Sequence, residues 1–316
     1  MYIMYIENIY IKRYVKLAFI LFIAFICFNI CVVVYDADSI SRPLAVMVGN
    51  STEEITHQTG LQTADVIYEI NVETPYTRLM AIFLTEDSNT IGPIRSSRYY
   101  FSRLAAEWSS IFAHCGGQIL KDDRIVNLDQ MRYSYPYWRD KKIGGWTNLF
   151  ANTEKIREKS RKTGFQDKIN LENNFLNFRA INLSGGNISK ICIKYNQKYS
   201  VSYEYDIKSN TYLRYINSKL YKDYKTLKPL NVSNIIIQYV QIEKIPGDTE
   251  GRVKVGVIGE GIAKAFYGGR YFLVKWVKKS KDHPTLYYDN QGNLLKLNKG
   301  KVWIEIVSKD TNIWFK

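Results

Sequence analysis

The longest apolar stretch runs from Leu17 to Tyr35 and is interrupted only by the amide of Asn29. Its length reaches the lower end of what a helix needs to cross a bilayer. Lys12, Arg13 and Lys16 precede it, and Asp36 and Asp38 follow it. This charge bias predicts a basic cytoplasmic segment over 1–16, a transmembrane anchor or signal over 17–35, and an extracytoplasmic body beyond it. Ile26 and Ile30 stand before Cys27 and Cys31, where a lipidated cysteine wants a small residue, and Ala37 lacks a small partner for ordinary cleavage. A retained single-pass anchor is therefore the preferred reading. Secretion or lipid attachment after signal cleavage is the alternative.

Beyond the anchor the apolar runs shorten and are punctuated. Pro43 to Gly49, Ala64 to Ile70, Arg78 to Leu84 and Ile111 to Cys115 read as strands. Residues 50–62 read as a polar loop or short capped helix, Ser97 to Trp108 as a helix, and Thr153 to about Thr163 as a charged helix capped by Asn152. Buried-looking strands alternating with helices predict an α/β first domain over 41–175. An Asn-rich linker or peripheral segment follows over 176–190. From 191 to 316 the spacing changes to strand pairs near 202–206, 212–215, 234–243, 252–258, 262–267, 271–277, 285–288 and 301–307. Gly268-Gly269 and Asp289 to Asn293 offer reversals between them. The fold class expected is α+β: an α/β N-terminal domain and a smaller, mostly antiparallel β domain.

Charge changes the picture of partners. The net charge is +14, of which +12 lies beyond residue 35. Such a surface favours the cytoplasmic membrane and an anionic cell-wall polymer as neighbours, with an envelope protein as a further partner. Nucleic acid is not predicted, because lysines and acids are interspersed and no zinc module or single-strand motif accompanies them. Cys115 and Cys192 are the two cysteines outside the anchor, too few for a disulfide framework. His57, His114 and His283 are scattered without ligand spacing, so no metal and no cofactor is predicted.

Candidate chemistry gathers in the first half. Ile91-Gly92-Pro93-Ile94-Arg95-Ser96-Ser97-Arg98 joins two apolar runs through a Gly-Pro turn. A helix starting near Ser96 would set Arg95 and Arg98 together at its first turn, where planar forks can hold a carboxylate or phosphate. Arg78 would join them or neutralise a glutamate. Glu69 ends one strand and Glu73 sits in the adjoining loop, so a pair of carboxylates at one sheet edge is open to ligand binding or acid–base work. His114 is a proton carrier or a satisfied sheet-edge histidine. Glu69, Glu73, Arg78, Arg95, Arg98, His114 and Asn148 are the candidate ligand-binding residues, and no catalytic set is assigned.

Several words of the sequence together carry a resemblance: Arg42 to Asn50, Gly60 to Glu69, Thr77 to Phe83, Ile91 to Arg98, Tyr137 to Asp140 and Asn148 to Phe150 in the first half, then Tyr203 to Asp206, Tyr212 to Arg214, Val240 and Lys301 to Ile304. They resemble the YerB-like family of bacterial envelope lipoproteins, whose function is not established. The resemblance implies envelope placement and an α/β domain joined to a β-rich one, and it supplies no catalytic residues. The sequence departs from the family at Gln118, where Ser commonly follows Gly-Gly. It departs again at Gly145-Trp146-Thr147-Asn148, where Pro-His-Asn is commoner. The expected function is a membrane-anchored extracytoplasmic protein that binds an anionic envelope component. A hydrolase or transferase acting on an envelope polymer is the alternative, and an envelope-protein adaptor the second.

Overall fold

The computed structural model describes residues 39–73, 75–165, 168–170 and 177–316. The span expected over 17–35 and the boundary expected at 175–176 lie outside these residues. Among the described residues no helix is long and apolar enough to cross a membrane. Ser39–Ser41 pairs antiparallel with Lys168–Asn170 in a small unit of its own. Everything described below belongs to the larger unit.

The apolar runs of the first half become strands β1 (Leu44–Asn50), β2 (Val66–Asn71), β3 (Thr77–Phe83), β4 (Ile111–His114) and β5 (Val126–Asp129). The second half adds β6 (Lys190–Lys194), β7 (Ser200–Asp206), β8 (Thr211–Ile216), β9 (Asn234–Val240) and β10 (Gly259–Tyr267). It ends with β11 (Arg270–Lys278), β12 (Leu286–Tyr288), β13 (Val302–Ser308) and β14 (Asn312–Phe315). Ten of them form one sheet in the order β12-β11-β10-β9-β13-β2-β3-β1-β4-β5. β13, near the end of the chain, lies between β9 and β2 and runs parallel to both. Strands β8, β7, β6 and β14 make an antiparallel second sheet.

This corrects the expected fold class. Strands take 45% of the described residues and helices 9%, with three α-helices among them, so the first half is not an α/β domain beside a small β domain. The expectation failed because continuous apolar strands report burial on both faces without saying what covers each face. Here one cover is a second sheet. Val46, Val48, Ile67, Leu79, Ala81, Ile237 and Trp303 share a core cluster with Ile191, Val201, Tyr203 and Tyr212 of the second sheet. The opposite face takes a helix, α2 below.

Helix α1 (Thr52–Ile55) starts from a capping box in which Ser51 and Glu54 satisfy each other's backbone N–H. Helix α2 (Tyr99–Glu107) buries Tyr100, Phe101, Leu104 and Ala105. Trp108, just past its end, donates to the Tyr68 hydroxyl at 3.2 Å, and Tyr100 donates to the Asn71 carbonyl at 2.7 Å. Helix α3 (Thr153–Lys162) is capped by Asn152, whose side chain accepts from the Lys155 N–H at 3.0 Å. Glu154 in its first turn and Lys159, Arg161 and Lys162 in its last complement the helix dipole. At the other end of α2, Glu107 forms a fully buried ion pair with Lys278 of β11 at 2.7 Å and accepts from the Thr285 N–H and hydroxyl.

Candidate functional site

The turn at 92–98 is clamped to β1 by its own backbone. Gly49 donates to the Pro93 carbonyl at 2.8 Å and Arg95 to the Met47 carbonyl at 3.1 Å, while Ile94 donates to the Leu149 carbonyl at 2.7 Å. Helix α2 starts only at Tyr99, and Arg98 is its N-cap residue in extended conformation. Arg95 and Arg98 therefore do not share a first helical turn, as their spacing suggested. They are positioned instead by two carboxylates.

Glu73 receives Arg78 Nη2 at 3.2 Å and is met by Arg98 on its other oxygen. Arg78 Nη1 also donates to the carbonyl and hydroxyl of Ser96, at 2.8 and 3.1 Å, and Arg98 Nη1 donates to the Ser97 carbonyl at 2.8 Å. Glu54, already bound to the Ser51 N–H at 2.7 Å, pairs through its second oxygen with Arg95 Nε. A Cβ on Gly49 would stand 2.2 Å from the Glu54 carboxyl carbon, so the bare backbone there makes room for this pair. The Arg95 guanidinium lies 3.5 Å from the ring centre of Trp146. Burial lowers the pKa of Arg78, Arg95 and Arg98, and the Glu54 carboxylate opposes this at Arg78 and Arg95. Guanidinium groups nonetheless keep their charge in proteins.

Beside this cluster lies a pocket of about 330 Å³ lined by Ser51, Thr52, Glu53, Glu54, Glu73, Tyr76, Thr77, Arg78 and Trp146; Arg95 and Arg98 stand behind its wall. Trp146 is 56% exposed on its rim. Arg95 Nη2 and Arg98 Nε are buried atoms with no hydrogen-bond acceptor among the described residues.

Under the floor lies a second, closed set of charges. The Thr77 hydroxyl donates inward to Glu69 Oε1 at 2.8 Å, as does the Tyr199 hydroxyl at 2.7 Å. Glu69 on β2 stands in register with Glu305 on β13. Arg214 of β8 bridges them, with Nη2 to Glu69 Oε2 at 2.6 Å and Nη1 to Glu305 Oε1 at 3.0 Å. Tyr203 and Tyr195 donate to the two oxygens of Glu305, at 2.6 and 2.5 Å. All three ionisable side chains are at most 1% exposed. Burial, and then repulsion from Glu69, push the Glu305 carboxyl up to about 7, against the pull of Arg214.

The structure thus brings Glu73, Arg78, Arg95 and Arg98 together and sets Glu69 apart as a core residue. His114 is also buried; its Nδ1 lies 2.9 Å from the Gly116 carbonyl and its Nε2 2.7 Å from Asn127 Oδ1. Asn148 braces its own loop, accepting from Arg139 at 2.9 Å and donating to the Ile143 carbonyl at 3.2 Å. Sequence reasoning missed Glu54, Tyr76 and Trp146. The Ser51-Thr52-Glu53-Glu54 spacing, a capping-box signature, could have located Glu54. Nothing local marks Trp146. Among the described residues no group of His, Cys, Asp and Glu could hold a metal ion.

Two family models match the chain: the DUF3048 N-terminal domain, a protein of unknown function, over residues 33–166, and the DUF3048 C-terminal domain over 191–304. YerB of Bacillus subtilis (strain 168), a protein named as a lipoprotein, is 28% identical over 276 residues, covering 84% of this chain and 81% of its own. The crystal structure of YerB from Bacillus subtilis matches with a TM-score of 0.75 at 26% identity, over 87% of this chain and 94% of that one. The likeness read from the sequence, the two domain matches and the shared fold agree: the chain belongs to the YerB-like family, whose function is not established.

Proposed function

We propose that the protein is a membrane-anchored, extracytoplasmic binding module whose pocket beside the 92–98 turn takes an anionic group of an envelope component. The observation that carries this reading is the cluster of Arg78, Arg95 and Arg98 on Glu54 and Glu73 beside one open pocket, which Arg78 and both of these glutamates line. Guanidinium forks match carboxylate and phosphate oxygens, and partial burial strengthens such contacts relative to open water. The basic chain supplies longer-range attraction. Anchoring rests on the apolar run 17–35, and a lipoprotein-named relative supports envelope placement.

The test is co-sedimentation of the full-length chain, in detergent, with isolated wall fragments that retain their anionic polymers. Retention should fall as salt rises and fall again by about tenfold in the R95Q and R98Q variants. Retention unchanged by both substitutions and by salt would remove the proposal. For the anchor, protease added to intact cells should consume the body; a body protected until the cells are opened would overturn the placement.

Among the described residues Glu69 and His114 are buried away from the pocket that Glu73 lines, so the three are not assembled for acid–base work there. An adaptor is the second reading. It is favoured by Ile262 and Leu273, both more than half exposed beside a cleft of about 750 Å³ that they line with Tyr239 and Trp276. Crosslinking in intact cells from this cleft to an envelope protein, lost in I262D and L273D variants, would support it; crosslinking indifferent to both would not.

A further inference from the structure

The second sheet ends at β14, which pairs antiparallel with β6 and has no strand on its other side among the described residues. Lys316 and Lys190 exchange N–H to carbonyl bonds, each at 3.0 Å. An antiparallel ladder repeats that exchange at every second residue, so Trp314 and Asn312 also face β6, while Ile313 and Phe315 turn their N–H and carbonyl groups to the open side. The strand is short, yet Asn312 to Phe315 holds neither proline nor charge, the other common guards of a sheet edge.

What lies beside that edge is apolar. The cleft of about 750 Å³ is lined by Thr311 and Ile313 and by no residue of β6, which puts it on the open side of β14. Its floor is the β10–β11 hairpin, where Ile262 stands opposite Lys275, Lys264 opposite Leu273 and Phe266 opposite Tyr271 on one face. β14 covers one end of this face: the Phe315 ring centre lies 5.1 Å from that of Phe266 and 4.9 Å from that of Tyr271. At the other end Ile262 and Leu273 are 59% and 54% exposed. One more strand added to β14 would lie over them and continue the packing of the second sheet on the first.

Charge describes that strand. Lys264 and Lys309 line the cleft and enter no ion pair among the described residues, whereas the one lining carboxylate, Glu260, is held by Lys275 at 2.9 Å. A second copy of β14 would bring a further Lys309 and Lys316 to the same edge, so like charges oppose self-pairing. We infer that β14 accepts an extended segment of a partner protein as a further strand, a segment that alternates apolar side chains, packed on Ile262 and Leu273, with acidic ones beside Lys264 and Lys309. Backbone pairing supplies affinity in this mode, and the side-chain alternation supplies selectivity. This rests on the adaptor reading above and narrows it to a binding mode and a type of partner sequence.

Fluorescence anisotropy of the full-length chain in detergent tests this with short labelled peptides. A peptide alternating valine and glutamate should bind saturably, and one alternating valine and lysine at least about tenfold more weakly. I262D and L273D should each weaken the acidic peptide by about tenfold, and K264E with K309E should reverse the preference between the peptides. In an extended strand the valine and glutamate N–H groups point to opposite edges. N-methylation of one set should therefore abolish binding, and N-methylation of the other should spare it. Equal binding of the two methylated forms overturns strand pairing, and equal binding of the acidic and basic peptides overturns the partner chemistry. Self-association of the chain that L273D abolishes would give the edge to a second copy and overturn the partner assignment. If no peptide binds while crosslinks from the cleft to an envelope protein persist in cells, strand addition falls and the adaptor reading stands. If crosslinks and peptide binding are both absent, both fall.

Discussion

One buried guanidinium lies between two buried carboxylates, and burial with repulsion from Glu69 raises the Glu305 pKa against the pull of Arg214. The Glu305 value in the folded chain, about 7, lies above the ordinary value of 4.5, so unfolding between those limits releases a proton. Stability from this group is therefore fully present at the acid end. It falls as pH rises through the window by up to on the order of 3 kcal/mol, and is flat above it. Denaturant unfolding at about pH 5 and about pH 8 should show this slope, and E305Q, a neutral isostere, should flatten it. R214M removes the bridge and leaves both carboxylates buried, which should cost about 3–5 kcal/mol in the same measurement. This triad was not legible in the sequence. Along Thr211–Ile216 the buried positions are Tyr212, Arg214 and Ile216, whereas Leu213 is only half-buried. Hydrophobic alternation ranks Leu213 as the inward residue, and only the distant Glu69 and Glu305 reverse that order.

At the scale of the element, local chemistry was readable and its assembly was not. Asn152 before a charged run announces the start of α3, because a side-chain oxygen three residues ahead of an orphan N–H is sufficient cause. N152A should cost about 1 kcal/mol of stability, measured by thermal unfolding. The arginine turn behaved differently. Helical spacing brought Arg95 and Arg98 together on paper, but α2 begins beyond both, and Glu54 and Glu73 set their positions from other elements. Those contacts cross 41 and 25 positions of sequence, beyond the reach of any local pattern. Gly49 links β1 to the site: in G49A the new methyl would strike a Glu54 carboxylate that a capping box and Arg95 both hold. A stability loss of about 1–3 kcal/mol by denaturant unfolding, with weaker retention on wall fragments, is the expected outcome.

For the whole molecule, the strand positions were largely legible, since runs such as Leu44–Asn50 and Val302–Ser308 are apolar enough to report burial. Their neighbours were not, because apolarity carries no address. β13 pairs with β9 on one side and β2 on the other, so residues from both family-matched segments share one continuous sheet. A fragment of residues 42–167 would expose the β2 edge and the face that the second sheet covers. Expressed alone it should be insoluble or unfolded by circular dichroism, and co-expression with residues 177–316 should recover soluble material. β13 also sets a timetable. A chain leaving the ribosome or the export channel from its N-terminus presents β2 more than two hundred residues before its parallel neighbour exists. The early half must wait, open to aggregation or held by a chaperone, until Val302–Ser308 has arrived; an export block that strands this strand would deny the sheet its middle.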